Sequence, residues 1–407
     1  MRLTRRRFLG TTSLAVAGAL TRSEDARAWL TPLEGLTGRE IVIPARGVSA
    51  RLSIQPDYVR SLDRVLLSVP AGSLPGRTGA SAPSLPFLRE VYAALIAALP
   101  EYTEIDVVSA AGDRDRVEGL IGPLAGGRAL RLHAVGGLST TPDLWAQDLG
   151  EPFSIDGEFR FLVSMPVDES DDYNSRITQS REAIARAVLG RAAVTRADFV
   201  FEGGNLSVDR TSRGARVFVG YNDLVMTVRA YEARSRRLTL RKAAEKIAAW
   251  TDGAEVVVIG TDTQSPYLRH IDQSFTLLAD EQAVVNVVDG APTLEQRQLV
   301  QYRAQLETLG YRVIPLATTA AAVRAYHAST NVVPFVDRVS GQRTVILPVF
   351  PGEVRPGAGV ALDEADLAGK GRAAADAFRR AGYASVPIRD FSHVAGGNAH
   401  CLTNVLA

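Results

Sequence analysis

The chain has 407 residues, 46% of them hydrophobic, and its 46 basic and 45 acidic side chains leave a formal net charge of +1. That balance gives no electrostatic footprint for nucleic acid or an acidic surface, and the apolar fraction is ample for a packed core. Cys401 is the only cysteine, so no intrachain disulfide framework exists and stability has to come from that core.

The first residues, Met1-Arg2-Leu3-Thr4-Arg5-Arg6-Arg7-Phe8-Leu9-Gly10, are followed by small and apolar residues to Leu20 and by a small-x-small site at Ala26-Arg27-Ala28. This pattern predicts a twin-arginine signal peptide over residues 1–28. Its apolar stretch is too short to span a bilayer, and no other segment has the length of a membrane helix. The expected location is periplasmic or secreted, with the twin-arginine export machinery as a partner and no membrane contact after leader removal. Residues 29–63 read as an extension packed on the rest, with a strand at Ile41-Val42-Ile43.

From residue 64 onward, strand-like runs alternate with helical ones. Strand, helix and strand are expected at 65–69, 87–99 and 105–108, and the order recurs at 159–165, 181–189 and 199–201. It returns at 217–219, 242–250 and 256–259, at 283–288, 294–309 and 311–314, and at 344–349, 364–381 and 385–388. Five such units point to a cyclic α/β repeat in which each unit buries its apolar face on its neighbours. A doubly wound α/β sheet would produce the same alternation.

Cys401 closes the run Gly396-Gly397-Asn398-Ala399-His400-Cys401, in which glycines allow close backbone approach and neighbouring polar groups surround the sulfur. Read alone, it fits a buried small hydrophobe better. Three other segments carry polar groups beside strand-like stretches: Trp145-Ala146-Gln147-Asp148, Glu202-Gly203-Gly204-Asn205 and His270-Ile271-Asp272. Strand alternation would put His270 and Asp272 on one face. A cysteine nucleophile needs a histidine for proton transfer, and two carboxylates can hold a planar cation by charge-assisted hydrogen bonds. The blander reading makes Asp148 a cap, His270 and Asp272 a surface pair, and Glu202 and Asn205 turn formers.

At these residues the chain resembles the guanidino-group-modifying enzymes, and among them the protein-arginine deiminases. His400-Cys401-Leu402-Thr403-Asn404-Val405 is similar to the terminal cysteine motif of the animal enzymes, Trp145 to Asp148 to their tryptophan-any-glutamine-aspartate element, and His270 to Asp272 to their histidine-aliphatic-aspartate element. Glu202 to Asn205 and Gly396 to Asn398 instead look like agmatine deiminase and its bacterial relatives. The order along the chain matches too.

The resemblance implies a five-bladed α/β propeller of pseudo-fivefold ββαβ repeats over residues 64–407, with the site in a central channel. It implies Cys401 as nucleophile, His270 as acid and base, Asp148 and Asp272 as holders of the guanidinium, and Trp145, Gln147, Glu202, Asn205 and Asn398 as substrate-binding residues. The product would be a ureido group, citrulline if the substrate is arginine within a protein or peptide, and free arginine, agmatine or another small guanidine is the alternative. Such chemistry requires neither cofactor nor metal. The acidic run Asp168-Glu169-Ser170-Asp171-Asp172 could take Ca²⁺, but its spacing fits no EF-hand loop. The arginine that the animal enzymes use near the site would fall at Ala395, and their amino-terminal immunoglobulin-like region has no counterpart. An amidinotransferase and a non-catalytic holder of a cationic ligand are the competing readings, and His393 reads as structural.

Overall fold

The computed structural model describes residues 42–44, 52–53, 55–70, 85–138, 144–155, 157–167, 172–212, 214–251, 254–261, 264–290, 292–350 and 364–406. The expected leader and the run Asp168 to Asp171 lie outside them. Two short strands, β1 (Val42–Ile43) and β2 (Leu52–Ser53), and a 3-10 turn, Asp57–Val59, come first. The first unit then runs β3 (Arg64–Ser68), helix Leu85–Ala98, β4 (Glu104–Ala110), helix Arg114–Ile121 and β5 (Leu130–Val135), with β4 parallel to both β3 and β5.

The next units share one plan, an antiparallel hairpin followed by a helical crossover to a parallel strand. The second comprises β6 (Glu151–Ile155), β7 (Glu158–Val163), helix Asp172–Leu189 and β8 (Val194–Arg196). The third comprises β9 (Leu206–Thr211), β10 (Gly214–Gly220), helices Tyr221–Ala233 and Leu240–Trp250, and β11 (Glu255–Ile259). The fourth comprises β12 (Phe275–Leu278), β13 (Gln282–Val288), helix Leu294–Thr308 and β14 (Arg312–Thr318). The fifth comprises β15 (Val333–Val336), β16 (Arg343–Val349), helix Glu364–Arg380 and β17 (Ala384–Arg389). Finally β18 (Asn404–Val405) pairs antiparallel with β3, so the end of the chain supplies the hairpin partner that the first unit lacks. Among the described residues the result is an α/β fold of five separate sheets.

The central strands are apolar on both faces because each face meets a different core. Val65 and Leu67 pack with Leu88, Tyr92 and Leu95 of the first helix, whereas Leu66 between them packs with Phe161 and Val163 of the second unit. Val217 and Val219 face Ile247 of their own unit, and Phe218 meets Phe275 and Tyr302 of the fourth. Phe153 and Leu162 of the second unit share a core with Leu206 of the third. Leu278 and Ile314 of the fourth share one with Val345 of the fifth, and Ile346 of the fifth packs with Val65 of the first.

Two expectations need correction. The outer strand of the second unit is Val194–Arg196, and Phe199 to Phe201 runs irregularly. There the amides of Val200 and Phe201 donate to the hydroxyls of Thr227 and Ser164, at 2.9 and 3.0 Å, in place of a sheet neighbour. His270-Ile271-Asp272 is no strand either: Ile271–Gln273 forms a 3-10 turn. It is pinned where the Ile271 amide donates to Asn205 Oδ1 at 3.2 Å and the Ile271 side chain is buried.

Before the first unit, β1 pairs with β11 and β2 with β6. Tyr58, buried, donates its hydroxyl to Asp209, a carboxylate that also accepts from Tyr311. Among the described residues no helix is long and apolar enough to cross a membrane.

Candidate active site

Each hairpin is preceded by a short turn, and these turns carry the polar residues. Gln147–Leu149 leads into β6, Gly203–Asn205 into β9, Ile271–Gln273 into β12, and the helical turn Ala399–Leu402 into β18. Thr330 and Asn331 hold the corresponding place before β15. The turns before β6, β9, β12 and β18 meet one another, so residues far apart in sequence face one centre.

Cys401, 5% exposed, sits in that helical turn. Its Sγ lies 3.7 Å from Asp272 Oδ2 and accepts from Asn331 Nδ2 at 3.3 Å. Asn331 is fully buried, and its Oδ1 accepts from the backbone amides of His400 and Cys401 at 3.0 and 3.4 Å. A ring nitrogen of His270 lies within 4.8 Å of Cys401 Sγ, and its Nε2 lies 2.8 Å from Glu202 Oε2. One ligand-type atom each from His270, Asp272 and Cys401 falls within 4.8 Å of the other two. A metal could be held by such a trio, yet His270 Nε2 is engaged with Glu202, and Asp272 Oδ2 with His400 Nδ1 at 3.0 Å. The arrangement suits a nucleophile, its proton carrier and a carboxylate better.

Burial pushes the Cys401 thiol up, and the adjacent Asp272 carboxylate adds to this, to about 11; the hydrogen bond with His270 offsets only part. Burial alone would lower His270, but its hydrogen bonds with Cys401 and Glu202 hold it well above the usual imidazole range. Burial would raise Glu202, and it is outweighed by Arg269 and His270, which keep that carboxyl ionised. Both directions favour the thiol form of Cys401 and the protonated form of His270. A cation arriving over Cys401 would stabilise the thiolate.

Asp148, nearly buried, has Arg181 Nη2 3.9 Å from its Oδ2 and lies within electrostatic reach of His270. Asp272 Oδ1 and Gln147 Oε1 are buried with no hydrogen-bond partner among the described residues. Two buried acceptors without donors are what a docking guanidinium would satisfy. Trp145 packs on Gly397, where a Cβ would come within 2.7 Å of the indole.

Three of the expected substrate-binding residues are otherwise engaged. Glu202 holds His270 and Arg269. Asn205 spends its amide on Asp223 Oδ1, 3.1 Å, and its carbonyl on the Ile271 amide. Asn398 donates to the carbonyls of Tyr326 and Gly397, at 2.8 and 2.6 Å, and accepts from the Ala328 amide at 3.2 Å. Both asparagines brace turns. His393, fully buried, pairs its Nδ1 with the Asp390 carbonyl at 2.9 Å and meets His327 edge-on.

Asn331, Asp57 and the role of His400 were not legible from motifs. His400 puts Nε2 3.3 Å from Gln147 Nε2 and 3.5 Å from Asp57 Oδ2. Burial would lower this imidazole, but hydrogen bonds to Asp272 and Asp57 raise it to about 10. Register could have brought attention to within one residue of Asn331: Asp148 stands three residues before β6, Asp272 three before β12 and Cys401 three before β18, and Thr330, the neighbour of Asn331, stands three before β15.

The sequence model of the Porphyromonas-type peptidyl-arginine deiminases matches residues 63–406. No curated protein shows a significant sequence match. Among solved structures, agmatine deiminase of C. jejuni superposes with a TM-score of 0.60 at 12% identity, covering 87% of this chain and 95% of that one. Agmatine deiminase of Enterococcus faecalis gives 0.60 at 14% identity, covering 91% and 98%. A candidate arginine deiminase of Porphyromonas gingivalis gives 0.59 at 17%, covering 87% and 97%. At these identities the superpositions establish a shared fold.

Proposed function

The chain belongs to the Porphyromonas-type peptidyl-arginine deiminase family and is a hydrolase of guanidino C–N bonds, and we propose that it converts arginine within peptides or proteins to citrulline and ammonia at Cys401. Deiminases of this family work through a cysteine nucleophile and need no cofactor. The observation that carries the assignment of roles is the linked set Cys401–His270–Glu202, facing an unpartnered carboxylate oxygen of Asp272.

Asp148 and Asp272 grip the guanidinium and fix its plane, Oδ1 of Asp272 accepting one N–H. The bound cation releases the thiol proton to water, and the thiolate adds to the guanidinium carbon. Protonated His270 gives its proton to one nitrogen, the C–N bond breaks and ammonia leaves, so a thiouronium stays on sulfur and His270 is neutral. Water then adds to that carbon while His270 takes a proton. Collapse of the hydroxyl adduct breaks the C–S bond, the hydroxyl proton passing to the departing sulfur to restore the thiol and leave the ureido product. Glu202 keeps the imidazole oriented for both transfers.

The five sheets form, on this reading, the blades of a propeller with the described stretches of residues 42–63 packed on it and the site at its centre. Support comes from the hydrophobic contacts that join each unit to the next and the fifth to the first, and from β18 completing the sheet of β3. Export through the twin-arginine route would bring the enzyme to peptide substrates. A small guanidine is the second reading, favoured by the agmatine deiminase-like loops at Glu202 to Asn205 and Gly396 to Asn398.

The test incubates mature enzyme, with and without Ca²⁺, with an arginine peptide blocked at both ends, with free arginine and with agmatine. Peptide conversion adds about one dalton as nitrogen gives way to oxygen by hydrolysis. Conversion of agmatine or free arginine alone would replace the peptide assignment by the small-molecule one. Full activity of Cys401→Ala would overturn the cysteine mechanism.

A further inference from the structure

Asp57 precedes the residues matched by the family, 63–406, yet it reaches the centre of the site. Its 3-10 turn is held from several sides. Tyr58 donates to Asp209, the Arg60 carbonyl accepts from the Val336 amide at 2.9 Å, and Arg60 Nη1 reaches the Val405 carbonyl at 3.4 Å. The same Arg60 nitrogen is 3.0 Å from Asp57 Oδ1, which leaves Oδ2 to face His400 Nε2 at 3.5 Å. His400 in turn places Nδ1 3.0 Å from Asp272 Oδ2, and the other oxygen of Asp272 is the buried one without a donor. Asp57, Asp272, Thr330 and His400 line one narrow cavity beneath the site.

We infer that Asp57 is a positioning residue of the reaction, acting through His400 to fix the Asp272 carboxylate so that its free oxygen faces the guanidinium. An imidazole bridging two carboxylates cannot swing without losing one of them, and Asp272, tied at Oδ2, has one oxygen and one plane left to offer. Asp57 is itself anchored by Arg60. The other charged or titratable groups with electrostatic reach toward His400 and Asp57 include Glu151, which senses both. The inference rests on the guanidine-hydrolase reading given above for Asp272 and adds that the amino-terminal turn, outside the matched span, is part of the working enzyme.

The experiment is a double-mutant cycle on the full mature chain, Asp57→Asn and His400→Gln singly and together, with Asp57→Glu as the charge-retaining control, scored as kcat/KM on the best guanidine found. Misplacing a reacting group by about 1 Å costs on the order of a hundredfold, so Asp57→Asn is expected to lose tenfold to a hundredfold. Asp57→Glu should recover part of it, and Asp57→Asn in the His400→Gln background should cost little more than His400→Gln alone. A second readout does not depend on turnover: the His400 ring resonance, one of five histidines, should titrate at lower pH in Asp57→Asn than in the parent.

Turnover by Asp57→Asn within twofold of the parent, or losses that simply add in the double variant, would overturn the inference and leave the hydrolase assignment standing. Absence of guanidine turnover in the parent protein sinks that assignment, and the positioning role with it. Should Asp57→Asn fail to fold, His400→Gln tests the same link from its other end, and undiminished turnover there refutes it.

Discussion

A methyl group added at Gly204 would meet the His270 imidazole directly. A Cβ built there lies 2.6 Å from His270 Nδ1, 2.9 Å from its Cγ and 3.0 Å from Asp272 Oδ2. Non-bonded carbon contacts settle near ~3.5–4.0 Å, so the ring has to retreat by about 1 Å. Its Nε2 already uses a 2.8 Å bond to Glu202, and a shift of that size breaks or badly lengthens it. For an acid and base that must reach both the leaving nitrogen and the attacking water, such a displacement costs on the order of a hundredfold in rate. The accompanying overpacking costs about 1–3 kcal/mol, against a typical fold stability of about 5–15 kcal/mol. Gly204→Ala should therefore be folded, slightly less stable and nearly inactive. The assay pairs kcat/KM with a thermal melt, and Gly119→Ala is the control because a Cβ there meets nothing within 4 Å. Gly204→Ala with kcat/KM within threefold of the parent and an unchanged melt would show that His270 is not where the chemistry needs it.

Asn331→Asp should lose at least a hundredfold in turnover, about what one misplaced or missing donor at a reacting atom costs, because a carboxylate cannot donate to the sulfur; near-normal alkylation of Cys401 by iodoacetamide in that variant would contradict it. Thermal stability should fall as pH rises from about 6 to 10. Burial pushes the Glu151 carboxyl up to about 8, and in His400 the carboxylates of Asp272 and Asp57 overcome burial and raise the imidazole to about 10. Both folded-state values lie above the unfolded ones, so each contribution is full at low pH and is lost as pH passes the folded value; a flat or rising melting temperature across that range would refute the assignment. Arg5→Lys with Arg6→Lys should trap precursor in the cytoplasm, and mature protein exported at normal yield would argue for another route.

The order of strands and helices was legible because each central strand is an apolar run with turn residues on both sides, a pattern that survives without any knowledge of tertiary contacts. What periodicity could not separate was a strand from a buried aromatic segment. Phe199-Val200-Phe201 is apolar for burial but bonds its amides to Ser164 and Thr227, and nothing in its own sequence says so. Cys401, the His270–Asp272 pair and Asp148 were singled out through motifs, not through the backbone geometry expected of them, since His270 to Asp272 turns where alternation had predicted a strand. Asn205 and Asn398 lie in the same motifs and yet brace turns, because a motif preserves the frame that aims a functional group as well as the group itself. Thr330-Asn331 falls in a run, Ser329 to Val333, with no charge to mark it, and only its place before β15 ties it to Asp148, Asp272 and Cys401 before their own strands. Asp57 obeys neither rule. It precedes the repeats and owes its position to Tyr58 and Arg60, whose partners Asp209, Val336 and Val405 come from three different sheets. Sequence spacing sees residues that one unit positions, whereas a residue positioned by several units together becomes visible only once those units are assembled.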